Sequence, residues 1–508
     1  MRVGKSEKKV GFDTPRYLRA QKKAIEERLD HFSGRLYLEF GGKLLNDFHA
    51  ARTLPGYDPN AKLQLLKSLK RNTEVIYCVS AKQLAEGKIR GDYGIDYSQA
   101  AIRALETLKS LNLPIAAVVI NRYEGENEAL ILERQVKTMR IPSYRRYEIE
   151  GYPNDLKKIL SARGYGKDSY IPAKKKLVVV WGAGPGSGKL STCLGQIYHD
   201  SQRKINSGYA KFETFPVWNL PLQHPINIAY EASTADLGDF NLIDPFHHQA
   251  YKKVAVNYNR DVEAFPIIMA ILEKVLKKKN FTRQYKSPTD MGFNVLREGM
   301  VDDRILRRAA KKEIVFYLFR YRQEQKAGLL DHQVLDRMNN VMERAGVKEE
   351  FLQTVPAARE AQRTAERSRD KGEKGIYCGA AIELPNGQIV QGKNSPLLHA
   401  EAATLLNAIK VLAGVADDLL LISKPIIRQI NKLRKQMEEE YFSLNCSEAL
   451  LALAISSQAN PLALKAQKCL HLLRGCFMHT THRPSAADQS LFRKLGIWVS
   501  TDGIVVKA

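Results

Sequence analysis

Four glycines fall within seven residues of this chain, in Gly182-Ala183-Gly184-Pro185-Gly186-Ser187-Gly188, and Lys189 follows at once. Glycine turns tightly and lets a backbone approach an anion closely. Exposed N–H groups and a following helix N-terminus favour phosphate, and a lysine adds a point charge. The apolar run Leu177-Val-Val-Val-Trp181 before it reads as a central parallel strand, and residues 189–207 after it read as a helix. Gly182, Gly184, Gly186, Ser187, Gly188, Lys189, Ser191 and Thr192 are therefore the candidate anion-binding residues, for ATP or another phosphorylated ligand with Mg2+. The run departs from the nucleotide-loop consensus at two places. Ala183 replaces its first glycine. Leu190 replaces the hydroxyl that would bind Mg2+, and Ser191 and Thr192 come one and two places late. A tight structural turn is the competing reading.

A polar layer follows. It holds Lys211-Phe-Glu213, His224, Glu231, Asp236, Asp239, Asp244-Pro-Phe-His247-His248 and Asn257-Tyr-Asn-Arg-Asp261. Carboxylates, imidazoles and amides at this density suit acid–base work or Mg2+ coordination. If the layer faces the glycine turn, Lys189, Glu213, Asp236 and His247 are the catalytic candidates and Asp244 the candidate metal ligand. A loop layer held by hydrogen bonds is the alternative. Glu39-Phe-Gly-Gly-Lys43, with Asp47, His49 and Arg52, is a weaker anion candidate at a strand end.

Further along, His399-Ala400-Glu401 is half of the zinc-deaminase signature, in which His binds zinc and Glu moves the proton. The P-C-x-x-C half is missing, and Cys469 and Cys476 stand seven apart. A deaminase-like layout without zinc is the expectation.

The elements that must position these residues alternate. Helices are expected at 14–33, 59–70 and 97–111, and strands at 35–40, 74–79 and 115–121, which is a layered βαβ pattern. A short helix is expected at 155–162. Residues 208–266 read as largely irregular, and 264–369 as helical and charged. Residues 377–383 and 388–390 form a hairpin around Pro385-Asn386-Gly387. A helix at 396–413, two more helices and a strand near 497–500 follow. The chain is thus a multidomain α/β protein. Its expected parts are an α/β domain at 1–172, a phosphate-binding region at 173–265, a helical region at 266–370 and a small α/β domain at 371–508.

Composition sets the outer limits. The 508 residues exceed one core, and 44% hydrophobic with 26% charged residues is ordinary for a globular protein. Six cysteines form no C-x-x-C pair, which points to thiols in a reducing compartment. No signal peptide and no membrane-length apolar run stand out, so the cytoplasm is the expected location. The formal net charge is +24, spread over clusters at 67–71, 174–176, 274–279 and 304–312. It allows contact with nucleic acid but brings no recognition motif. Homo-oligomerisation is the ordinary expectation for a soluble enzyme of this size.

Several segments together resemble a known family. They are Leu38-Glu-Phe-Gly-Gly-Lys-Leu44, Gly91-Asp92, Gly164-Tyr-Gly166, Gly184-Pro-Gly-Ser-Gly-Lys189, Thr192-Cys-Leu194, Gly208-Tyr-Ala-Lys-Phe-Glu-Thr-Phe215, Ile243-Asp-Pro-Phe-His247, Asn257-Tyr-Asn-Arg-Asp261 and Arg474-Gly-Cys476. The chain resembles, over nearly its whole length, an uncharacterised bacterial family of about 500 residues, sometimes labelled putative ATP-dependent zinc proteases. The resemblance implies an N-terminal α/β part, a helical part and a C-terminal part with deaminase-like topology. It implies no reaction, and no H-E-x-x-H supports the protease label. Two functions remain open: an enzyme using the glycine turn for a nucleotide or phosphorylated metabolite, with phosphotransferase or hydrolase chemistry, or a noncatalytic anion- or RNA-binding scaffold.

Overall fold

Asp13 accepts a hydrogen bond from the Arg16 N–H at 2.9 Å and Pro15 presets the first turn, so the first helix runs from Thr14 to Leu29. It stops four residues short of the expected end. Residues 30–34 instead turn the Phe32 ring under the sheet, into the space that Gly208 leaves by having no side chain. The computed structural model describes residues 10–87, 89–90, 95–182, 184–368, 371–436 and 443–504. Ala183 and Gly91-Asp92 of the quoted motifs lie outside the described residues.

By contacts the chain divides into two compact units, at Arg307. The first holds a seven-stranded sheet in the order Gly292–Phe293, Ser207–Phe212, Arg35–Phe40, Leu177–Gly182, Thr73–Ser80, Ile115–Asn121, Ser143–Arg145. All neighbouring pairs are parallel. Strands from both sides of residue 172 therefore share one sheet. Leu36 lies opposite Leu177, and Thr73 pairs Leu177 from the other side. Every residue of Leu177–Gly182 is buried, which is why its sequence is one apolar run rather than an alternating one.

Side chains alternate between two cores. Leu36, Leu38, Phe40, Val179 and Trp181 face helices Thr14–Leu29, Ala61–Leu69, Tyr97–Ser110 and Asn127–Thr138. Tyr37, Val178 and Val180 face helices Lys189–Gln202 and Asn259–Val275. The chain leaving Arg35–Phe40 thus packs over one face, and the chain leaving the adjacent Leu177–Gly182 over the other. Such a reversal opens a crevice at the C-terminal strand ends, where doubly wound sheets take ligands.

The second unit is built on a four-stranded sheet, Ile389–Lys393, Gly379–Glu383, Phe477–His482, Trp498–Ile504. The first two pairings are antiparallel and the last is parallel. The expected hairpin is present. Gly387 takes a φ of 86°, and its N–H donates to the Leu384 carbonyl at 2.8 Å. Helix Ala400–Ala413 ends on Gly414 at a φ of 60°, and helices Cys446–Ser456 and Ala486–Leu495 pack with it around one core. No helix among the described residues is long and apolar enough to cross a membrane.

Candidate functional site

The glycine turn leaves the sheet at that crevice. Gly186 and Gly188 adopt φ values of 74° and 83°, the left-handed region that costs glycine least. A Cβ at Gly188 would stand 2.5 Å from Asn121 Cγ, and one at Gly182 would stand 2.3 Å from Ser187 Oγ. Side-chain amides pin the turn from outside. Asn121 donates to the Ser187 carbonyl and Gln83 to the Pro185 carbonyl, each at 2.8 Å. Gly188 caps helix Lys189–Gln202 without a side chain, so the first N–H groups of that helix receive no side-chain cap. Lys189 Nζ folds back onto the Gly184 carbonyl at 3.1 Å and reaches Ser187 Oγ at 3.4 Å. A bound anion would compete for that ammonium.

The late hydroxyls are differently placed. Thr192 is fully buried, and its hydroxyl donates to the Gly188 carbonyl at 2.9 Å while accepting from the Cys78 thiol at 3.5 Å. Ser191 lies beside the Tyr152 and Tyr165 phenols. Neither stands in for the hydroxyl missing at Leu190.

A cavity of about 630 Å³ opens at the end of strand Ser207–Phe212, with Arg28, Lys211, Glu213, His247 and Asp261 in its wall. Lys211 lies 2.9 Å from Glu213 Oε1 and is also ion-paired with Asp261. The Tyr258 hydroxyl donates to Glu213 Oε1 at 2.8 Å, and the Tyr209 hydroxyl donates to Glu39 Oε2 at 2.7 Å. One ammonium is thus paired with two carboxylates, Glu213 and Asp261, and feels the charge of a third, Glu39. Burial works to lower the Lys211 pKa, but the charges of Asp261, Glu213 and Glu39 hold it well above its ordinary value. Burial pushes Glu213 up to about 8; Lys211 opposes the rise and the charge of Asp261 adds to it. A carboxyl that titrates near neutrality can both give and take a proton.

The expected catalytic residues are distributed unevenly. Glu213 and His247 share the cavity. His247 Nδ1 lies 3.1 Å from Ser287 Oγ, and its ring packs 4.8 Å from that of Tyr251. Asp244 is buried beside them but occupied. Its carboxylate caps helix Pro245–Tyr251 at the His247 N–H, 3.0 Å, and accepts from the Thr289 hydroxyl at 2.7 Å. Asp236 is exposed on the turn Ala235–Leu237, outside the cavity lining. Lys189 belongs to the glycine turn.

The turn after Arg35–Phe40 meets Glu213. A Cβ at Gly41 would sit 3.0 Å from Glu213 Cγ, so the first of the paired glycines lets Glu213 lie across the strand end. One strand separates Leu177–Gly182 from Ser207–Phe212. Two strand spacings, roughly 10 Å, separate the strand that leads into the glycine turn from the strand that leads to Glu213. Asp47 is spent in a buried ion pair with Lys62 at 3.0 Å.

Sequence reasoning placed Lys211, Tyr258 and Asp261 in the polar layer without naming them as catalytic candidates, and it passed over Arg28. Lys211 carried a usable signal, a lone lysine within a strand-length segment next to Glu213. Arg28 lies within the expected helix at 14–33 and had no local signal. It donates to the Tyr285 hydroxyl at 2.6 Å and stands over the Phe293 ring at 4.7 Å.

Residues 10–346 match the family model described as "Domain of unknown function DUF1846, N-terminal", and residues 352–505 match its C-terminal counterpart. A Clostridium botulinum protein called UPF0371 protein is 46% identical over 97% of both chains. Relatives of the same name from Fusobacterium nucleatum and Clostridioides difficile are each 44% identical, the first over 98% of both chains and the second over 97% of this chain and 98% of its own.

Proposed function

The chain belongs to the DUF1846 family, which is defined by sequence rather than by a reaction, and from the geometry of its site we propose an enzyme acting on a phosphorylated small molecule. The phosphate is held by the N–H groups of residues 186–190 and by Lys189. Glu213 moves a proton at the other end of the ligand. The observation that carries this reading is the position of the glycine turn at the point where the sheet reverses its winding, beside an uncapped helix N-terminus.

The roughly 10 Å between the strands that lead to the turn and to the carboxyl decides between chemistries. Phosphoryl transfer needs its metal and acid–base groups at the phosphorus. Here Leu190 offers no Mg2+ ligand and Thr192 is buried in hydrogen bonds of its own. The phosphate is therefore a handle, and the reacting centre lies toward the Lys211–Glu213–Asp261 cluster. The ammonium of Lys211 stabilises negative charge there, while Glu213 supplies or removes the proton.

Thermal shift with inorganic phosphate, a nucleoside monophosphate and a hexose phosphate tests the reading. A ligand at 100 times its Kd stabilises the wild type by roughly 2.7 kcal/mol. Lys189→Ala should abolish the shift, and Glu213→Gln should keep it. Absence of a shift with every phosphorylated probe, or an undiminished shift in Lys189→Ala, would sink the proposal.

A further inference from the structure

In the C-terminal unit three helix N-termini converge. His399 is the cap residue of Ala400–Ala413, with Glu401 in its first turn, and Asp488 lies in the first turn of Ala486–Leu495. The N–H of Cys446, first residue of Cys446–Ser456, donates to Asp488 at 3.1 Å. His399, Glu401 and Asp488 each offer one ligand atom, and these atoms all lie within 4.8 Å of one another. Glu401 is 1% exposed and Asp488 is 0% exposed. Two buried carboxylates this close repel each other unless positive charge is at hand.

His482 packs against one of them. Its Nε2 lies 3.2 Å from Glu401 Oε1 and 3.0 Å from Oε2. Oε2 is buried and, apart from that contact with His482, makes no hydrogen bond. Asp488 is held in place by the Cys446 N–H and by the Ser485 hydroxyl at 3.1 Å. Outer hydrogen bonds of this kind orient a ligating carboxylate.

The sequence spacing agrees with the geometry. Pro484-Ser485-Ala486-Ala487-Asp488 opens the helix that follows strand Phe477–His482. It has the spacing of P-C-x-x-C, with Ser485 and Asp488 where the cysteines would stand, and His399 falls on the histidine ligand of the H-x-E half; the glutamate of that signature is not a ligand, so Glu401 joins the set by geometry alone. A search restricted to cysteine overlooks it.

We propose that this unit binds one divalent transition metal of the zinc class through His399, Glu401 and Asp488. The ligands of a single zinc lie roughly 3.5 Å apart, so side-chain shifts of about 1 Å would close the set. An imidazole among the donors favours zinc over Mg2+, which prefers oxygen throughout. Three protein donors leave a fourth position for water, the arrangement of catalytic rather than structural zinc.

The full-length chain, stripped by a chelator, is titrated calorimetrically with ZnCl2 and separately with MgCl2. One zinc per chain is expected, with weaker magnesium binding. Losing an outer hydrogen bond to a zinc ligand costs about 10- to 100-fold in affinity, so His399→Ala and Asp488→Asn should each cost about 100-fold or more. CoCl2 should give a visible ligand-field spectrum in the wild type that these variants lose. Circular dichroism checks folding, and the isosteric Glu401→Gln takes the place of Asp488→Asn should that variant unfold. No zinc binding by wild type overturns the proposal, as does unchanged stoichiometry and affinity in the folded variants.

Discussion

Lys211 and Glu213 differ in what their removal should do, although they touch. Lys211 is the one ammonium among Glu39, Glu213 and Asp261. Lys211→Met leaves buried carboxylates uncompensated, and breaking such a pair costs about 3–5 kcal/mol. A urea denaturation midpoint should fall accordingly, and a variant within 1 kcal/mol of wild type (about experimental scatter) would show that the cluster is solvated. Burial raises the Glu213 pKa from its ordinary 4.5 to about 8, with the Lys211 ammonium opposing the rise. The sign follows. Between those values the native state binds the extra proton, so stability is full at low pH and declines as pH rises, by at most about 1.4 kcal/mol per unit. Glu213→Gln removes that slope. Melting temperatures from pH 5 to 8 should fall less steeply in the variant than in wild type. Parallel curves would mean that Glu213 is already ionised at neutral pH.

The glycine turn makes its own demand at the level of the element. Gly188 combines a φ of 83° with an Asn121 side chain 2.5 Å from where a Cβ would stand. Gly188→Ala should destabilise by about 1–3 kcal/mol through strain and should also lose phosphate binding. Lys189→Ala removes a long side chain that, among the described residues, bonds within the turn itself, so it should lose binding with little change in melting temperature. Equal melting losses in the two variants would argue that the lysine, too, is structural. This turn was legible in advance because its strand is apolar throughout and four glycines crowd between that strand and the helix that follows. Strands Arg35–Phe40 and Ile115–Asn121 were legible to the residue for the same kind of reason. Ser207–Phe212 was not, and the expected helix 189–207 ran to its edge instead. Gly208 and the buried Lys211 break the apolar pattern, and the ion pairs that make that lysine tolerable come from residues up to fifty positions away. Phe477–His482 was missed likewise. Its His479 is buried yet bonded to Ser500 at 2.9 Å, a partner on the neighbouring strand that no local pattern shows. The candidate site followed the same rule. Its glycines could be read locally, whereas the Lys211 cluster and Asp488 depend on pairings that only the fold makes.

At the scale of the molecule, the two proposed ligand sites lie in two units with separate cores. Each is assembled wholly from its own unit, the glycine turn and Lys211 cluster within residues 10–307 and the His399 cluster beyond residue 308. A ligand stabilises the states in which its own site is intact. Local opening reports such stabilisation segment by segment through amide exchange. Phosphate ligand should therefore slow exchange around residues 182–192 and 209–213 and leave 399–401 and 485–488 unchanged, while zinc should do the reverse. The formal charge of +24 adds a condition, since anionic ligands meet a basic surface that salt screens. The comparison belongs at one fixed ionic strength near physiological. Protection confined to one unit per ligand would identify two independent functions carried on one chain. Protection that crosses from one unit to the other would instead give a coupling free energy between the sites, and by linkage zinc would then alter phosphate affinity by the same factor that phosphate alters zinc affinity.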